Sequence, residues 1–385
     1  KNLKFQTIKK YNVDNLSFIF DISDKKYKFT ELYTQLNKIK LNSPSTIIEE
    51  KNNSFFINGR ILNEEKNIPF DKIQNLLNSN YDGLNLKDIQ FTSDNSFSFK
   101  VNKDFKLSNL NINSDVNLSK LTYKSNFSSI QKYFPEVKEL ISLKNHKIKF
   151  NYNKDKIKIV GSGQILTEDN QDKISYEINK KKNQYHFKKI FEIKQNITIN
   201  ELQYKKEKNK KALIKVEGNF SENKNFFFNE ISLIENNNSI LFKNLILDNK
   251  LKISDISLLE LDYYNINKIH NQIYLKKNKK NFILQGKSFD ASNMIDDIMD
   301  SVDYKKTIFN NLNSKITVDI KKTYLDNLNF INKLSGSINY RSNKINYLEL
   351  ESEFPNKKKI RLSIETNKNN EKITKLITGH PKPII

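Results

Sequence analysis

The residues best able to do chemistry in this chain are four histidines, three pairs of adjacent carboxylates and one Gly-x-Gly. His146, His186, His270 and His380 lie far apart, and none stands in an HxH, HxxxH or HExxH context. Zinc and its neighbours need clustered donors, so each histidine reads as an ordinary surface or loop residue. Glu49-Glu50, Glu64-Glu65 and Asp296-Asp297 are sequence neighbours, and neighbours on a strand or helix diverge, which makes them poor acid/base pairs. Gly161-Ser162-Gly163 lacks the third glycine and the following helix of a dinucleotide site and reads as a β-turn. Cysteine is absent, which removes disulfides, thiolate metal sites and thiol nucleophiles. No GxSxG, P-loop or supported SxxK motif occurs. The expectation is a protein that is not an enzyme and that needs no metal or cofactor.

The elements that would position such residues are strands. Apolar and polar residues alternate, as they do where a sheet has one buried face. Phe97, Phe99 and Val101 alternate with polar neighbours, and so do Ile148, Phe150 and Tyr152. The same holds for Ile157 and Ile159, Ile197 and Ile199, Ile316, Val318 and Ile320, Ile338 and Tyr340, and Ile360, Leu362 and Ile364. Short turn signals such as Asn153-Lys154-Asp155, Glu168-Asp169-Asn170 and Ser342-Asn343 separate them, which suits an antiparallel meander. Helical spacing occurs in Asp290 to Asp303, where Asp290 or Ser292 can cap, in Asp71 to Asn78, and near Ile130 to Leu140.

Two weak repeats run through the strands. In the first, an acidic residue or Asn sits between apolar residues, at Asn15, Asp88, Asn109, Glu201 and Asp255, with looser copies at Asn244 and Asn327. It predicts a bulge at the polar position. In the second, apolar runs lead into Gly59, Gly161, Gly218 and Gly286, which places glycine at strand ends. The expected fold is mostly β: an elongated, twisted antiparallel sheet forming an open amphipathic groove, with a few short helices. Three segments are expected, 1–140 with short helices near 71–78 and 130–140, 141–289, and 290–385 opening on a short helix.

The 385 residues carry 66 Lys+Arg against 44 Asp+Glu, a formal net charge of +22, together with 26 Phe and 17 Tyr. Such aromatic content excludes a disordered polyelectrolyte. The lysines are scattered through almost every segment, and Arg60, Arg341 and Arg361 are the only arginines. Nucleic-acid readers cluster their basic residues and favour Arg, so no nucleic-acid partner is expected. An AT-rich coding sequence would inflate Lys, Asn and Ile together, and anionic lipid surfaces are the other reading of the charge. No window approaches the roughly 18 apolar residues of a membrane span.

A sheet with one apolar face must bury it against a second sheet, a protein or lipid. An open face of Phe, Ile, Leu and Tyr suits acyl chains, each buried methylene contributing about 0.8 kcal/mol, with lysines meeting phosphate head groups at the rim. The candidate lipid-binding residues are Phe97, Phe99, Val101, Ile148, Phe150, Tyr152, Ile157, Ile159, Ile316, Val318, Ile320, Ile338, Tyr340, Leu362 and Ile364. On this reading Phe150→Asp or Val318→Asp blocks lipid passage with little unfolding. The competing reading is a β-sandwich or β-solenoid adhesin or assembly scaffold that binds a protein partner.

Phe282-Ile283-Leu284-Gln285-Gly286-Lys287-Ser288-Phe289-Asp290-Ala291-Ser292, followed by Met294, Ile295 and Ile298, resembles the G-x-x-apolar-D-A element of the AsmA-like family. Leu325-Asp326-Asn327-Leu328, Leu334-Ser335-Gly336-Ser337-Ile338 and Tyr347-Leu348-Glu349-Leu350 are similar to that family's C-terminal strands, and Ile373-Thr374 through Pro383 to the stretch after them. The resemblance covers residues 282–385 best and lacks the usual N-terminal transmembrane helix. It implies an envelope-biogenesis protein that carries phospholipid along a β-groove between the inner and outer membranes. It also implies a periplasmic location, anchored to the inner membrane by a segment absent from this chain, with no homo-oligomer required. The absence of cysteine agrees with such a compartment.

Overall fold

The computed structural model describes residues 3–6, 12–36, 39–64, 85–124, 140–166, 171–221, 225–248, 250–293, 312–342, 344–366 and 371–380. Strands dominate throughout. The helices expected over 71–78 and 130–139, and most of the one over 290–303, lie outside the described residues. At its start, Asp290 Oδ1 accepts from the Ser292 N–H (3.1 Å) and hydroxyl (2.7 Å), as a capping carboxylate does. The described residues form two compact units, one ending at Lys194 and one beginning at Gln195.

In the first unit, eleven strands follow one another: β1 (Leu3–Gln6), β2 (Asn12–Ser23), β3 (Lys26–Leu36), β4 (Ile39–Lys51), β5 (Ser54–Asn63), β6 (Asn85–Asn102), β7 (Leu107–Lys124), β8 (Leu140–Asn153), β9 (Lys156–Leu166), β10 (Gln171–Lys181) and β11 (Gln184–Ile193). Each pairs antiparallel with the next, so the sheet is a meander and β1 does not close onto β11. Residue 140 is the first of β8, which pairs with β7 along its length. Tight turns set the register. Asn52 and Asn53 both carry positive φ (49° and 56°), the type I′ geometry that matches strand twist and that asparagine tolerates.

The second unit holds the small hairpin of β12 (Ile197–Ile199) and β13 (Tyr204–Lys206) and a larger sheet. The sheet comprises β14 (Ala212–Ser221), β15 (Phe226–Glu235), β16 (Asn238–Leu247), β17 (Ile253–Asp255), β18 (Leu258–Tyr264), β19 (His270–Asn278), β20 (Asn281–Asp290), β21 (Ser314–Tyr324), β22 (Phe330–Arg341), β23 (Lys344–Glu353), β24 (Lys359–Thr366) and β25 (Lys372–Thr378). β16 pairs first with β18 and, past Lys243, with β17. The purely antiparallel meander fails at one place: β20 and β21 are parallel, joined through residues 291–313, a length that permits a crossover where a hairpin cannot.

The first repeat does mark irregular backbone. Asn15 and Asn109 have left-handed φ (55° and 53°) at register shifts, and Asn244 (φ 49°) sits where β16 changes partner. Asp88 adjoins another shift, Glu201 lies in a short 3-10 turn, and Asp255 ends β17 with its carboxylate on the Ile256 N–H. The second repeat corrects the sequence reading. Gly59, Gly161, Gly218 and Gly286 lie inside strands, and Gly161-Ser162-Gly163 is the middle of β9 and no turn.

Candidate apolar binding face

Directly paired residues in neighbouring strands share a face, so the register can be followed across each sheet. In the first unit one row runs through ten strands: Phe20, Phe29, Thr46, Gly59, Phe97, Ile112, Tyr152, Ile157, Lys180 and Tyr185. One row over lie Phe150, Ile159, Ile178 and Phe187, and beyond them Val116, Ile148, Gly161, Tyr176 and Lys189. Phe99 and Val101 follow Phe97 at two-residue spacing on β6 and face Ile57 and Phe55. The structure therefore brings Phe97, Phe99, Val101, Ile148, Phe150, Tyr152, Ile157 and Ile159 onto one face of this unit. All eight remain half-buried. The intervening residues Lys147, Lys149, Lys156, Lys158, Lys173 and Lys188 are exposed on the other face, where Lys158 pairs with Glu177 at 3.0 Å.

Glycines shape this apolar face. A Cβ on Gly161 would lie 2.5 Å from the ring of Tyr176 directly across on β10, and one on Gly59 would lie 2.7 Å from the ring of Phe97. Each aromatic ring thus rests on bare backbone, and the face stays smooth where two bulky residues would collide. Gly163 makes the same room for His146. That histidine is 1% exposed, in the middle of β8, which corrects its reading as a surface or loop residue. Its Nε2–H donates to the Gln164 carbonyl (2.9 Å), leaving Nδ1 to accept from the Tyr176 hydroxyl (3.3 Å). No sequence signal distinguished it, because its burial comes from the neighbouring strands.

In the second unit a row crosses eleven strands: Val216, Ile231, Phe242, Leu259, Leu275, Leu284, Val318, Gly336, Leu350, Leu362 and Leu376. Ile320 and Ile338 flank Val318 and Gly336 on the same face, with Ile316 paired to Ile338, and Ile338 to Leu348 and then Ile364. Tyr340 continues that face from Ile338. So Ile316, Val318, Ile320, Ile338, Tyr340, Leu362 and Ile364 also come together, within this unit. Val318, Ile320 and Ile364 are buried, whereas Leu362 and Ile338 are half-buried.

One margin of this second face is closed by the β12–β13 hairpin. Tyr204, 1% exposed, donates its hydroxyl to Glu235 Oε2 (2.7 Å) and packs edge-on against Tyr263, 5.6 Å between centroids. The Tyr263 hydroxyl donates to the Leu202 carbonyl at 2.6 Å. Lys206 is fully buried and donates to the carbonyls of Gln195 (2.5 Å) and Glu207 (3.1 Å). Burial raises the hydroxyl pKa of Tyr204 far above that of free tyrosine, and the adjacent Glu235 carboxylate adds to the rise. Burial likewise raises that of Tyr263. Alternation marked Ile197 and Ile199 as a strand, but the packing of this hairpin over Tyr263 was illegible in the sequence, since it depends on strands far away in the chain.

Among the described residues, no group of three or more His, Asp or Glu could hold a metal ion, and no helix is long and apolar enough to cross a membrane. His270 instead pairs with Asp262 (2.6 Å) and stacks on Tyr264. No family model matches the chain, and no curated protein matches it.

Proposed function

We propose that this is a noncatalytic lipid carrier of the kind the AsmA-like resemblance suggests, with phospholipid acyl chains lying along the apolar face of the first unit. The observation that carries the reading is the ten-strand row of the first unit, whose apolar side chains a single layer of sheet leaves half-buried or, at Phe20, exposed. Apolar surface of that extent is costly in water unless an apolar partner covers it. At about 0.8 kcal/mol per buried methylene, a chain of a dozen carbons gains several kcal/mol even when half sheltered. The rows run on from strand to strand, which suits sliding along them. The lysines of the reverse face keep that side wetted.

A periplasmic location and movement between inner and outer membranes follow from the resemblance and form part of the proposal. The competing scaffold reading is less well supported. A solenoid stacks parallel strands, whereas β20–β21 is the only parallel pair among the described residues. A sandwich needs a facing sheet, and all eleven strands of the first unit belong to one. The test is lipid extraction and mass spectrometry of the purified chain, followed by transfer of labelled phospholipid between vesicles. Co-purified phospholipid and transfer abolished by Phe150→Asp are expected; a lipid-free protein that transfers nothing would overturn the reading.

A further inference from the structure

β11 carries one residue that breaks the apolar pattern. Tyr185, Phe187, Lys189 and Phe191 alternate onto the apolar face, paired respectively with Lys180, Ile178, Tyr176 and Ile174 of β10. Lys189 therefore ends the row that runs from Val116 through Ile148, Gly161 and Tyr176. Its sequence neighbours Lys188 and Ile190 point to the other face. Among the described residues Lys189 makes a ring contact, Nζ lying 5.9 Å from the centroid of Phe187, and no ion pair. Burial alone lowers its pKa from the ordinary lysine value, with no carboxylate to offset it. An ammonium taken from water without an anion is costly, and a bound anion removes that cost.

We infer that Lys189 is the anchoring point for the phosphate of a phospholipid whose acyl chains lie along the apolar face of the first unit. The inference rests on the lipid-carrier reading and adds to it a place where the head group is held. The chemistry fits a phosphate, because an ammonium on a flexible stem meets it as a point charge with three donors. Tyr176, the partner directly across from Lys189, gives its hydroxyl proton to His146, which fixes the ring over Gly161 and leaves the lysine as the donor to the phosphate. The acyl chains then run away from β11 over Ile148, Phe150 and Ile159.

The experiment offers the full chain labelled phosphatidylglycerol, or diacylglycerol with the same acyl chains, from non-ionic detergent micelles, and counts bound lipid by native mass spectrometry. The wild type is expected to prefer phosphatidylglycerol about tenfold, the worth of one charge-assisted hydrogen bond. Lys189→Met should lower phosphatidylglycerol to the diacylglycerol level while leaving diacylglycerol binding intact. Lys189→Arg should keep the preference, and Lys188→Met on the opposite face should not alter it. A preference that survives Lys189→Met means that the lysine only lays its stem across Phe187 and sends its charge to water, which overturns the inference and leaves the carrier reading standing. Displacement of bound lipid by glycerol phosphate alone means a site for soluble phosphate and overturns it too. A wild type that binds neither lipid defeats the carrier reading itself.

Discussion

The two units apply the same alternating pattern to different ends. Of the buried apolar residues among the described ones, four lie in the first unit (Ile39, Leu118, Ile141 and Ile193) and eighteen in the second. Both sheets carry long, mostly apolar rows, and the second also has the plug of Tyr204 and Lys206 packed on Tyr263 over one margin and a closed cluster at Leu245, Ile256 and Phe282. Apolar patterning therefore fixes which face is greasy, and covering elements fix whether that face is core or surface. The same substitution should then have unlike consequences on the two sides.

Val318→Asp should give the largest effect. Val318 is 3% exposed, so its replacement buries a carboxylate without a partner and should cost about 4 kcal/mol or more. The sequence alone predicted little unfolding here; the burial of Val318 within the second unit reverses that expectation. Hydrogen exchange read by mass spectrometry, which reports each unit's peptides separately, should show protection lost from residues 212–378 and kept in the first unit. Equal loss in both units would break the contrast.

Tyr204→Ala removes the plug's central ring and leaves Glu235 with the longer bond from Asn238 (3.3 Å), and should cost the second unit about 3–5 kcal/mol by the same measurement. The plug also carries a pH signature. Because folding raises the pKa of Tyr204 and Tyr263, their contribution is full below the unfolded value near 10 and falls as pH rises above it. Urea denaturation followed by circular dichroism should show stability declining by about 1.4 kcal/mol per pH unit per tyrosine above pH 10, with a shallower decline in Tyr204→Phe. An identical slope in that variant would remove the plug from the account.

In the first unit Gly161→Val should cost about 1–3 kcal/mol, since its new atoms meet the ring of Tyr176 at once. Thermal melts of the variant with and without Tyr176→Ala check this, because the double variant should recover much of the loss. Phe150→Asp should be the mildest for the fold, about 1 kcal/mol, because the side chain is only half-buried, yet it should stop lipid transfer. Unfolding of the first unit by this substitution would show that its face is a core after all.

Much of the strand architecture was legible because period-two alternation is written locally. Phe97, Phe99 and Val101, or Ile148, Phe150 and Tyr152, declare their common face without reference to any other strand. The Asn15 and Asn109 bulges were legible for the same reason: asparagine tolerates left-handed φ and its amide can serve a displaced backbone group. The glycines misled, since whether a glycine ends a strand or makes room for a neighbour's ring depends on which residue stands across from it. Gly161 pairs with Tyr176, fifteen positions later, and that pairing is set by registers accumulated through a hairpin.

By itself the sequence determined a cysteine-free, basic, mostly β chain with one apolar face per strand, because alternation and turn chemistry act within a few residues. The tertiary structure decided the rest: that β20 and β21 run parallel, that His146 is buried, that Lys189 stands alone among aromatic residues, and that Val318 is core while Phe150 is surface. Each of these depends on what lies across or above a residue, and that is a property of strand order and covering elements, which local pattern does not encode.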